Sequence, residues 1–141
     1  MSGTTLRIII AFVLFVHGAG HSMGLLPAVG LSTIDTWNSR SWLLTNILGD
    51  TLSRIICIIL FAAALVGFVA AALGLMGWVV PHDLWRTLAL VSAVVSLIAI
   101  ILFWNAFVAF FPNKVGAIAV NVAVLVCLLW LNWPSEADIG F

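Results

Sequence analysis

The sequence predicts an all-α integral membrane protein: a four-helix up-down-up-down transmembrane bundle with a short interfacial helix between helices one and two. Of its 141 residues, 65% are hydrophobic and 7% charged, and the mean hydropathy of +1.30 lies far outside the range of water-soluble domains. The apolar residues form four runs, at about 6–26, 51–78, 84–111 and 115–133, each long enough to cross hydrocarbon. Pro, Gly and Asn punctuate the chain between runs, and the seven tryptophans, with no tyrosine, mark the run ends, where amphipathic rings favour the headgroups. The whole chain, 1–141, reads as one domain.

Helix one spans Leu6–Leu26 and stops at Pro27 and Gly30. Arg7, the apolar run and Ala28-Val29-Gly30 also imitate a signal peptide, but a chain starting at Met1 favours a retained helix. The connection that follows begins Ser32-Thr33-Ile34-Asp35, a capping-box-like helix start. Ile34, Trp37, Leu44 and Leu48 share one side of the expected interfacial helix, and Ser32, Asp35, Asn38 and Ser41 supply polarity. Ser41 falls about 40° from Trp37 on the apolar side, so a break is expected near Ser39–Ser41. Trp37 and Trp42 suit headgroup depth.

Helix two opens with Asp50 and Arg54 one turn apart and carries a small-residue ridge, Ala63, Gly67, Ala71 and Gly74, suited to close helix packing in lipid. Asp83 is the candidate N-cap of helix three, which Trp85 and Arg86 flank at one end and Trp104, Phe110 and Phe111 at the other. Helix four carries Asn121 inside and ends on Trp130, Trp133 and Pro134, ahead of a short acidic tail. Arg40, Arg54 and Lys114 on one side against Arg7 and Arg86 on the other set no orientation.

The stretch that organises the chain is His17-Gly18-Ala19-Gly20-His21-Ser22-Met23-Gly24. Gly20, Gly24, His17, Ala28 and His21 share a helix face about 100° wide, which places two imidazoles where only protein, and not lipid, can meet them. Counted from the shared surface, His21, Cys57, Asn105 and Asn121 lie about 8 to 9 Å deep and His17 about 15 Å. A polar layer with one member from each helix results. Unpartnered amides and imidazoles in hydrocarbon cost several kcal/mol, so these groups should bond to each other, to water or to a bound molecule.

Five basic and five acidic residues, scattered singly, exclude a nucleic-acid face. Cys57 and Cys127 lack metal or redox spacing and read as small packing residues. A b-type haem would need a second axial histidine on a facing helix at that depth, and none exists. A metal on His17, His21 and Cys57 would have only three candidate ligands, with Met23 pointing elsewhere. Every Asp and Glu lies at a helix end or in a loop, which argues against proton relay or hydrolysis, and no inverted repeat suggests transport.

His17-Gly18-x-x-His21-x-x-Gly24, Leu60-Phe61-Ala62-Ala63-Ala64 through Val69-Ala70-Ala71, Leu88-Ala89-Leu90 through Phe103-Trp104, and Val115-Gly116-Ala117 through Asn121 together resemble a family of small four-helix prokaryotic membrane proteins of unassigned function. More distantly the chain is similar to DoxX-like membrane proteins, which also begin helix one with a His-Gly pair and are linked in places to quinone-coupled sulfur oxidation. The acidic residue those proteins tend to carry in helix two is absent, with Cys57 and Gly67 in its neighbourhood. The resemblance implies a multi-pass protein of the prokaryotic plasma (inner) membrane. The combined expectation is a non-enzymatic binding or accessory subunit whose partners are the lipid bilayer and a membrane protein, a second copy, or a small amphiphile such as a lipid or quinone. Its candidate binding residues are His17, His21, Asn105, Asn121, Trp37 and Trp42, with loop one a lid over them or merely a loop on the headgroups. The competing expectation is a redox or metal-handling protein built on His17 and His21.

Overall fold

The computed structural model describes residues 2–32 and 34–141. Its described residues are helical or irregular with no strand, and four helical stretches, Gly3–Ala28, Leu44–Leu75, His82–Leu102 and Phe110–Trp130, are long and apolar enough to cross a membrane.

The first span is two helices, α1 (Gly3–Gly20) and α2 (Ser22–Ala28), joined through His21. The joint has a local cause. The His21 ring Nδ1–H donates to the carbonyl of His17 at 2.8 Å, the acceptor its own backbone N–H would use in a regular helix. That N–H bonds instead to Gly18 O at 3.0 Å, which tightens one turn. Pro27 sits in the last turn of α2, and because proline has no N–H it leaves the carbonyl of Met23 without its helical donor. Trp37 supplies one: its indole Nε1–H reaches Met23 O at 3.2 Å and Ala106 O at 2.8 Å.

Of the interfacial helix expected from Ser32 through Leu48, with a break near Ser39–Ser41, only the part after the break forms, over residues 44–48. Residues 34–43 run as turns and irregular chain, and Thr33 of the expected capping box lies outside the described residues. Ser32 Oγ donates to the carbonyls of Trp37 and Ile34 instead of capping a helix. The chain is held open by its partners, since Trp37 bonds as above and the Asn38 N–H donates to Asn105 O at 3.1 Å. Helix begins at Leu44, capped by buried Ser41, whose Oγ accepts from Leu44 N at 3.1 Å. Gly49 then adopts φ +79° and ψ 170°, outside helical geometry and costly for other residues, so within α3 (Leu44–Leu75) a short helix over 44–48 is set off from the second span proper.

The third span opens with a 3₁₀ turn at His82–Leu84 and continues as α4 (Trp85–Leu102), nine residues short of the expected end at Phe111. Phe103 leaves helical geometry with φ −117° and ψ 57° and buries its ring, and a 3₁₀ turn at Trp104–Ala106 follows. The freed carbonyl of Ile101 is taken by Trp42 Nε1–H at 2.8 Å. Phe111 is extended (φ −122°, ψ 135°) within the turn at Phe110–Lys114, and regular helix in the fourth span begins at Val115 as expected, with α5 (Val115–Leu125) followed by a π-helical turn at Val126–Trp130.

The tail is a structured cap. α6 (Glu136–Ile139) begins with a capping box in which Ser135 and Asp138 bond reciprocally, and it folds onto the start of α1. Ile139 is fully buried, Arg7 lies 4.6 Å over the Phe141 ring, and His82 stacks on Phe141 at 3.5 Å while its Nε2 pairs with Glu136 at 2.8 Å. Both ends of the chain therefore meet on one face of the bundle.

Two apolar clusters fill the interior. One, around Leu14, Phe68, Leu75, Trp85 and Ile139, lies toward the chain ends; the other gathers Cys57, Phe61, Ile100, Phe103 and Phe107. Close contact runs through small residues: a Cβ on Gly18 would lie 2.8 Å from Phe68 Cβ and 3.2 Å from the α3 backbone, and one on Gly24 would strike the Phe61 ring. In the predicted ridge of α3, Ala71 and Gly74 are buried and Gly67 abuts Ser92, but Ala63 is exposed and Ala64 takes its place inside.

Gly18→Ala should therefore destabilise the bundle by about 1–3 kcal/mol, because rigid backbone must move. Gly20→Ala should cost nothing, since a Cβ there meets nothing within 4 Å. Unfolding in detergent, followed by tryptophan fluorescence, distinguishes the two. At the tail, the Ser135 hydroxyl and backbone N–H hold Asp138 below the usual carboxylate range. A depressed carboxylate stabilises above its unfolded pKa and loses that contribution as pH falls through its folded value. Amide exchange at Ile139 should accordingly quicken, relative to that of α3, on acidification below the ordinary carboxylate range.

Candidate functional site

The two histidines lie between the apolar clusters. His21 is 1% exposed, and its ring centroid lies 5.8 Å from Phe68, 6.2 Å from Phe61 and 6.1 Å from Phe107. His17, half-buried, packs edge-on against His21 at 4.8 Å and Phe68 at 4.6 Å.

Their hydrogen bonds form a closed circuit with one consistent direction. A backbone carbonyl can only accept, so His21 Nδ1, bonded to His17 O, carries the proton. In a neutral ring this leaves His21 Nε2 an acceptor, and Ser96 Oγ–H donates to it at 2.5 Å. Asn121 Nδ2–H donates to the Ser96 oxygen at 2.6 Å, and Asn121 Oδ1 accepts from His17 Nε2–H at 2.9 Å. Ser96 and Asn121 are both fully buried. Each of these groups answers the desolvation of its neighbour, as hydrocarbon surroundings require.

The layer differs from the expected one in two members. Asn105 is absent from it: α4 ends three residues before it, and its side chain is exposed in the Trp104–Ala106 turn. Ser96 occupies the corresponding place on the third span. Ser92 and Ser96, one turn apart among Ala89, Ala93 and Ala99, were its only signal in the sequence. Cys57 is buried in the apolar cluster with its thiol toward Gly24 O at 3.8 Å, and the second span meets the histidines through Phe61 and Phe68. Trp37 and Trp42 do not reach the histidines; Trp37 bonds the carbonyls of Met23 in the first turn of α2 and of Ala106 after α4, Trp42 bonds that of Ile101 in the last turn of α4, and together they tie loop one to both spans.

A cavity of about 430 Å³ borders the circuit. His17 and His21 line it together with Val13, Val16, Gly20, Met23, Phe107, Asn113, Gly116 and Val120, and exposed Phe12 forms its rim. It lies in the seam between the first and fourth spans, whose backbones stand apart while each packs on its other neighbour. Glycine makes the space: a Cβ on either Gly20 or Gly116 would meet nothing within 4 Å. A second cavity of about 200 Å³ continues the seam toward the chain ends, sharing Val13 and Val120 and lined further on by Trp85 and Cys127.

Among the described residues no three His, Cys, Asp or Glu side chains come together as metal ligands. Comparison with protein-family models, curated proteins and solved structures finds no match.

Ser96→Ala should leave Asn121 N–H and His21 Nε2 without partners and cost about 1–3 kcal/mol. Ser92→Ala on the preceding turn serves as the control, both read by unfolding in detergent.

Proposed function

We propose that this protein is a small membrane binding subunit that holds one amphiphile of the lipid or quinone class at its histidine layer. The observation that carries the proposal is the position of the cavity: a polar circuit in mid-span borders a space that opens between two helices. An amphiphile enters there from the acyl chains without crossing the headgroups. Its polar end meets His17 and its chain lies along Val13, Val16 and Val120. The volume falls within the few-hundred-Å³ range of small-molecule sites that combine apolar walls with few polar groups. The resemblance to small prokaryotic membrane proteins supports the plasma (inner) membrane as the location.

Gly116→Leu provides the test. A Cβ there meets nothing within 4 Å, so the side chain extends into the cavity, and it replaces a helical glycine, so stability should hold or rise by up to about 1 kcal/mol. Wild-type protein purified in mild detergent should carry an extractable amphiphile, measured by mass spectrometry of organic extracts, and Gly116→Leu should carry at least tenfold less. Equal amounts in both proteins, or none in the wild type, would overturn the proposal. A stoichiometric protein lost from the variant would instead assign the seam to a partner helix or a second copy.

A further inference from the structure

We infer that the amphiphile is recognised through a hydroxyl group that donates a hydrogen bond to Nδ1 of His17, an inference that rests on the cavity being an amphiphile site. Starting from the carbonyl of His17, which can only accept, each proton is assigned in turn: His21 Nδ1–H, Ser96 Oγ–H, Asn121 Nδ2–H and His17 Nε2–H. Reversing the Asn121 amide would make Ser96 donate to Asn121, and would require a proton on both nitrogens of His21, a charged ring enclosed by Phe61, Phe68 and Phe107. With the amide as found, all four side chains are neutral.

One ring nitrogen remains. Nδ1 of His17 carries a lone pair and has no hydrogen-bond partner among the described residues, while the ring forms part of the cavity wall. A group placed against it must donate. A ketone, ester or ether headgroup would set lone pair against lone pair, so within the quinone class only the reduced quinol fits; an alcohol or phenol completes the circuit. Asn113 also lines the cavity, with one of its two N–H groups directed to Met23 Sδ at 3.3 Å. From a hydroxyl at His17 the chain continues along Val13 and Val120 into the second cavity, whose lining is almost wholly apolar.

The experiment uses the full chain in detergent, labelled with ¹⁵N-histidine, and three probes of similar chain length: hexadecanol, hexadecyl methyl ether and pentadecylphenol. Before any probe is added, the spectra should show His21 protonated at Nδ1 and His17 at Nε2. The opposite assignment would overturn the inference. Hexadecanol or the phenol should then bind about tenfold more tightly than the ether, the worth of one net hydrogen bond, and shift the resonance of the unprotonated His17 Nδ1. The tighter of the two distinguishes an aliphatic from an aromatic hydroxyl. Gly116→Leu should abolish both effects. Equal binding of alcohol and ether with Nδ1 unmoved would refute the hydroxyl while leaving an amphiphile site in place. Failure of all three probes to bind would refute the hydroxyl and the amphiphile site together.

Discussion

The constraint on which the bundle depends is that an imidazole in hydrocarbon needs partners for both of its nitrogens. His21 meets it by taking the carbonyl of His17 with one nitrogen and the hydroxyl of Ser96 with the other. The first bond displaces a backbone donor and divides the first span into α1 and α2. The second ties that span to α4, and through Asn121 to α5, so three of the four spans are held in register by one circuit. The remaining span, α3, contributes the aromatic surface that keeps water from the circuit.

The same rule governs the loop face. Helices that end at membrane depth leave carbonyls without donors, and here the proline of α2 and the early end of α4 create such groups at Met23 and Ile101. Two indoles meet this need, Trp37 with a bond to Met23 and another to Ala106, and Trp42 with a bond to Ile101. Tryptophans that look like headgroup anchors by position thus act as side-chain caps. Residues 34–43 of the connection between the first two spans stay irregular because their polar groups are engaged by neighbouring helices and turns.

Glycine has two opposite uses in this chain. At Gly18 and Gly24 the missing side chain allows α1 and α2 to approach α3 closely, and a methyl group would collide. At Gly20 and Gly116 the missing side chain is not compensated by any neighbour, and the result is the cavity beside His17. A helix face of small residues therefore seals one flank of the first span and opens another.

Helix number, alternation and approximate span limits were legible in the sequence, because runs of apolar residues and their Pro, Gly and Trp boundaries are local properties set by the thickness of hydrocarbon. The need for buried partners to His17 and His21 was legible for the same reason. The identity of those partners was not. Asn105 and Ser96 are both polar residues of the third apolar run, and choosing between them required knowing that α4 ends at Leu102, which depends on Trp42, Phe103 and loop one meeting in space. Ser96 left little trace in the sequence because a serine can satisfy itself within its own helix and is common in spans that bind nothing. Whether Gly20 faced a neighbour or a void was equally hidden: one missing Cβ is identical in both cases, and only the distance between the first and fourth spans separates them.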